Sequence, residues 1–171
     1  MFFDGIDKKE PIHSFLMIGQ SNMAGRGNLG EVEPIENSRC YMLRMGRWQA
    51  MSEPINPDRA IFRGKYPSGV SLGASFADSF ANTTGLEVGL IPCADGGTKI
   101  QQWQPGELLY DHALMMAKLA MRTSTVVAIL WHQESVFTSG RIVNIRGKLA
   151  YHIHTGRMND YIVFAKPRYA V

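Results

Sequence analysis

The stretch Ser14-Phe15-Leu16-Met17-Ile18-Gly19-Gln20-Ser21-Asn22-Met23 decides the fold. Its first half is a short apolar run closed by a glycine, the pattern of a strand buried on both faces of a parallel sheet. Its second half turns polar at once and reads as a loop entering a short helix. Two further runs repeat the arrangement. Glu87-Val88-Gly89-Leu90-Ile91 is ended by Pro92 and followed by Ala94-Asp95-Gly96-Gly97-Thr98. Val126-Val127-Ala128-Ile129-Leu130 is followed by Trp131-His132-Gln133-Glu134.

Helical spacing fills the gaps between these runs. Leu72, Phe76, Ala77 and Phe80 recur at helical intervals, with Ser71 as N-cap and Gly85 beyond the end. From Leu108 to Arg122 the spacing predicts the strongest helix of the chain, with Leu108, Leu109, His112, Met115, Met116 and Leu119 on the buried face. Tyr41 to Arg44 reads as a strand that turns at Met45-Gly46-Arg47 and resumes at Trp48. Pro54, Pro57 and Pro67 make the stretch from Met51 to Ser68 irregular. Strands alternating with helices imply an α/β fold with a mainly parallel sheet. In such sheets ligands gather at the carboxyl ends of the strands. The three polar clusters therefore meet at one rim.

Composition narrows the classes. With 171 residues, 45% of them hydrophobic and 19% charged, the chain suits one globular domain and not a disordered tail. No apolar run approaches the roughly 18 residues of a membrane span. The first residues carry Asp4, Asp7, Lys8, Lys9 and Glu10, so no apolar signal core is expected, and Cys40 and Cys93 cannot form a disulfide framework. The expectation is a cytoplasmic protein. The net charge of +3 is unevenly spread. Residues 1–134 hold 12 Lys/Arg against 14 Asp/Glu, a net −2, whereas residues 135–171 hold 6 Lys/Arg against Asp160 alone, a net +5. That basic segment has no RNA- or DNA-binding motif, so neither nucleic acid nor membrane is an expected partner.

The three clusters carry distinct chemistry. Ser21, three residues past a strand, either presents a nucleophilic hydroxyl at the sheet rim or caps a turn. The diglycine Gly96-Gly97 is either a tight turn or a pair of amides free to face developing negative charge. Gln133 either donates a side-chain N–H to an oxyanion or bonds neighbouring loop backbone. Trp103 and Trp131 are equally compatible with a cleft wall and with the core. His152-Ile153-His154 lacks a third ligand at suggestive spacing, so no metal is expected.

Phe15 to Gly27 resembles the first block of the SGNH hydrolase superfamily, in its branch of sialate O-acetylesterases and acetylxylan-esterase-like carbohydrate esterases. Gly89-Leu90-Ile91-Pro92-Cys93-Ala94, Gly96-Gly97-Thr98, Ile100 and Trp103 resemble the second block. Ile129-Leu130-Trp131-His132-Gln133 resembles the start of the third. The resemblance covers about residues 12–133. It implies a three-layer, flavodoxin-like α/β/α sandwich and a serine esterase acting on O-acetyl groups of carbohydrates. It further implies Ser21 as nucleophile, with an oxyanion hole built from the Ser21 N–H, Gly97 or Gly96, and the Gln133 side chain. No metal or organic cofactor is implied.

Two departures follow. Where the family continues Trp-His-Gln-Gly-Glu-Ser-Asp, Glu134 follows Gln133 directly and Val136 stands in place of the acid. The family's Asp-x-x-His block occurs nowhere in the 171 residues. These departures imply an esterase portion over 1–134 that lacks its last elements, and an atypical basic tail over 135–171 derived from a frameshift or truncation. The expected activity is accordingly impaired, with a non-catalytic carbohydrate-binding remnant as the alternative. An acetylated carbohydrate is the expected ligand, and an exposed sheet edge would favour self-association.

Overall fold

The computed structural model describes residues 11–56 and 67–133. The described chain builds a five-stranded sheet with helices on both faces. In chain order the elements are β1 (Ile12–Gly19), α1 (Ser21–Ala24), β2 (Cys40–Arg44), β3 (Arg47–Ala50), α2 (Leu72–Thr84), β4 (Val88–Pro92), α3 (Leu108–Ala120) and β5 (Ser124–His132). The strands are ordered β3-β2-β4-β1-β5. β1 lies parallel to both β4 and β5, β2 lies parallel to β4, and only β3 is antiparallel, paired with β2. The α/β sheet read from the apolar runs is therefore present.

β1 lies inside the sheet between β4 and β5, and its last six residues are all buried. Alternate side chains serve the two faces, as strand geometry requires. Leu16 and Ile18 join the cluster under α3, whereas Phe15 and Met17 join the cluster under α2. On the α2 side Phe15 takes the edges of Phe76 and Phe80, with ring centroids 4.9 and 5.0 Å away. Such edge-to-face pairs are each worth about 0.5–1.5 kcal/mol beyond area burial.

The local signals act as read. Ser71 caps α2 by accepting the Gly73 N–H, and Gly85 ends the helix in the left-handed conformation with its N–H on the Ala81 carbonyl. The β2–β3 connection has two residues, Met45 (φ 51°) and Gly46 (φ 75°), both left-handed, which matches the twist of a tight hairpin.

One expectation is corrected. The face of α3 that meets the sheet consists of Leu109, Tyr110, Ala113, Ala117 and Ala120, while Leu108 and Met115 are 55% and 56% exposed. His112 and Leu119 are only half-buried. The alanines at 113, 117 and 120 let the helix lie close against the strands. Ranking by side-chain size points the helix about a quarter-turn away from this small-residue stripe. Glu134, Val136, His152, His154 and the rest of the 135–171 tail lie outside the described residues.

Candidate active site

Parallel pairing brings the carboxyl ends of β1, β4 and β5 to one rim. Gly19 is the register partner of His132, and Met17 that of Pro92. Backbone hydrogen bonds then continue past the strand ends. The Cys93 N–H donates to the Met17 carbonyl at 2.9 Å, the Asp95 N–H to Gly19 at 2.9 Å, and the Gln20 N–H to His132 at 3.0 Å. All three polar clusters are laced together by these bonds before any side chain is considered.

Ser21 opens α1, directly after the rim. The Gln20 carbonyl accepts from both Met23 and Ala24 at 3.0 Å, which turns the chain sharply out of β1. Ser21 is half-buried, and as the first residue of a helix it has no intrahelical acceptor for its N–H. That amide is available to a ligand beside the hydroxyl.

The diglycine turn lies beside this serine, with the Arg26 guanidinium against it. A Cβ built on Gly96 would stand 3.8 Å from Ser21 Cα and would overlap the Arg26 guanidinium. Arg26 is held there by donating from Nη1 to the Gly25 carbonyl at 2.6 Å. Gly97 is needed for a different reason. Its φ of 78° is left-handed, and its missing side chain faces open space. One glycine therefore makes room for a neighbour, and the other makes the turn.

Gln133 follows β5 immediately. Its Nε2 donates to the Thr98 carbonyl at 2.8 Å, which ties the third cluster to the second. The bond to loop backbone weighed above is thus present. A carboxamide nitrogen carries two hydrogens, so one remains for a ligand. Thr98 itself is nearly fully buried. Its Oγ1 donates to the Asp95 carbonyl at 2.8 Å and accepts from Trp103 Nε1 at 3.3 Å.

Trp103 and Trp131 are core residues, which settles the alternative left open by their type. Trp103 is 0% exposed, and the two rings meet edge to face at 5.6 Å. They lie beneath the rim and do not wall a cleft. Thr98 was visible in the sequence only as the residue closing a glycine turn, and its link to Gln133, 35 positions later, had no local signal. Among the described residues no three His, Cys, Asp or Glu side chains form a metal-ligand group, and no helix is long and apolar enough to cross a membrane.

The family model described as "Carbohydrate esterase, sialic acid-specific acetylesterase" matches residues 11–139. The chain belongs to this carbohydrate esterase family. A probable carbohydrate esterase from Arabidopsis thaliana is 34% identical over 154 residues, covering 75% of this chain and 58% of that protein. The chain thus spans little more than half the length of this curated relative. A solved X-ray structure of a protein from Arabidopsis thaliana superposes with a TM-score of 0.76 at 25% identity, covering 90% of this chain and 73% of that one.

Proposed function

We propose that this chain carries the nucleophile and oxyanion hole of a serine esterase that removes O-acetyl groups from carbohydrates. The observation that carries the reading is the contact of the Ser21 backbone with the diglycine turn, while Gln133 is tied to the next residue of that turn, Thr98. These two links support a reading in which the Ser21 hydroxyl, backbone amides and the Gln133 carboxamide face one acyl group. Oxyanion stabilisation needs donors that are already aimed where charge develops.

In this mechanism the Ser21 Oγ attacks the acetyl carbonyl, and the Ser21 N–H, the Gly97 N–H and Gln133 Nε2 receive the oxyanion. Collapse expels the sugar hydroxyl and leaves acetyl-Ser21, which water hydrolyses to acetate. The proton of Ser21 needs an acceptor, and the sequence has no Asp-x-x-His to supply one. Serine hydrolases stripped of triad members still give roughly 10³–10⁴-fold catalysis over water, from the oxyanion hole and binding. Slow acetyl-ester turnover is therefore the proposed activity. The proposed sugar is of the sialic acid type, which the family's description names, or of the xylan type. The two cysteines are unpaired thiols, which agrees with a reducing cytoplasmic location. Self-association through a sheet edge is part of the proposal, since unpaired strand edges favour pairing between copies.

The missing Asp-x-x-His also favours a second reading, a carbohydrate-binding remnant without turnover. Hydrolysis of p-nitrophenyl acetate by the chain and by Ser21→Ala separates the two. The esterase reading expects turnover that is lost in the variant, and equal rates from both proteins reject Ser21 as nucleophile. Acetate release from O-acetyl sialic acid against acetylated xylo-oligosaccharide then identifies the sugar.

A further inference from the structure

We propose that Thr98 is a positioning residue, which locks the diglycine turn and the Gln133 carboxamide into one rigid oxyanion-binding unit. The inference rests on the esterase reading above and adds to it a residue that touches no substrate. Thr98 is 5% exposed, and both its hydroxyl and its carbonyl are committed. The hydroxyl closes the turn over Gly96-Gly97 by donating to the Asp95 carbonyl, and it is pinned from below by the indole N–H of Trp103. Trp103 is fully buried and braced edge-on by Trp131, so the anchor belongs to the hydrophobic core.

The carbonyl of Thr98 does the orienting. A carbonyl accepts only from a donor, so it selects the nitrogen end of the Gln133 carboxamide and turns Oε1 away. Oε1 is buried, with no hydrogen-bond partner among the described residues. Released from Thr98, the carboxamide would have no hydrogen bond among the described residues that distinguishes its two ends, so it could rotate. Rotation would present an acceptor oxygen where the developing oxyanion needs a donor. Thr98 therefore decides the sign of the charge that Gln133 offers the reaction. Trp103, Thr98, the turn and Gln133 form a relay from core packing to transition-state geometry.

Thr98→Val keeps the shape and removes the hydroxyl. It is expected to lower kcat about 10- to 100-fold with KM within about twofold, since displacement of a positioned donor acts on the transition state. Thr98→Ser restores the hydroxyl and is expected to return kcat to within about threefold. An unchanged kcat in Thr98→Val, a change in KM alone, or failure of serine to rescue overturns the proposal. Hydrogen exchange at the Gln133 side-chain amide, read by NMR, tests the same link without turnover. One slowly exchanging Nε2 hydrogen is expected in the parent and in Thr98→Ser, and its loss in Thr98→Val. Identical protection in all three proteins defeats the inference. If Ser21→Ala hydrolyses ester as fast as the parent, the esterase reading fails, and the NMR result alone decides the Thr98 relay. Trp103→Phe, which keeps an aromatic ring and deletes the N–H, gives the same comparison should Thr98→Val fold poorly.

Discussion

Replacing Gln133 by alanine separates catalysis from folding. The side chain is half-buried and, among the described residues, makes one hydrogen bond, from Nε2 to the Thr98 carbonyl at 2.8 Å. A typical internal hydrogen bond contributes about 0.5–1.5 kcal/mol net. Deleting the side chain also deletes the buried Oε1, which has no partner among the described residues, and so removes a desolvation penalty of opposite sign. The net stability change should therefore stay within about 1 kcal/mol, a shift in Tm of about 2–4 °C for a domain of this size. The catalytic change is far larger. Loss of one oxyanion donor costs about 10²–10³ in kcat, or roughly 2.7–4 kcal/mol. On the proposed esterase reading, Gln133→Ala should therefore lose activity by about that factor. Initial rates on p-nitrophenyl acetate, paired with thermal melts, measure both quantities on one preparation. A variant within threefold of the parent rate refutes the oxyanion role. A melt lowered by ten degrees or more refutes the claim that Gln133 serves catalysis more than stability.

Other consequences concern α3. Ala117→Leu sets a large side chain into the close contact between helix and sheet, where Ala117 is fully buried, and should destabilise the protein by about 1–3 kcal/mol in urea unfolding. The same measurement on Met115→Lys, on the exposed face of that helix, should stay within about 0.5 kcal/mol of the parent. Burial lowers the affinity of His112 for a proton below its ordinary 6.5. The unfolded chain therefore binds that proton more readily, so this contribution to stability is complete above pH 6.5 and declines as the pH falls through the lowered folded value. His112→Leu should flatten the pH dependence of the unfolding free energy below pH 6.5, and an unchanged slope would exclude His112 as its source.

What could be read from the sequence depended on how local each cause was. Ser71 and Gly85 bracket α2 because caps act within one turn of the helix. The Met45-Gly46 hairpin is legible because two residues determine its geometry. The run from Phe15 to Ile18 announces an interior strand because burial on both faces tolerates no polar alternation. The orientation of α3 was misread for the opposite reason. Alanine carries little weight in a hydrophobic pattern, yet its small size decides how closely a helix approaches a sheet. The fate of the two tryptophans depends on neighbours brought by the fold, which composition cannot supply. Ser21, the diglycine and Gln133 were individually visible as residues following strands. The tie between Gln133 and the glycine turn at Thr98 was not, since a hydrogen bond spanning 35 positions leaves no mark on either local pattern.

The registration of β5 on β1 has a consequence for quality control. Because Gly19 pairs with His132, sliding β5 by a single residue would move Gln133 about 3.3 Å along the sheet and exchange the faces of Trp131 and His132. The indole would leave its partner ring, and the carboxamide would lose its grip on the turn. On the proposed esterase reading, turnover thereby becomes a gauge of strand alignment: a misthreaded molecule, however compact, would be silent in the assay.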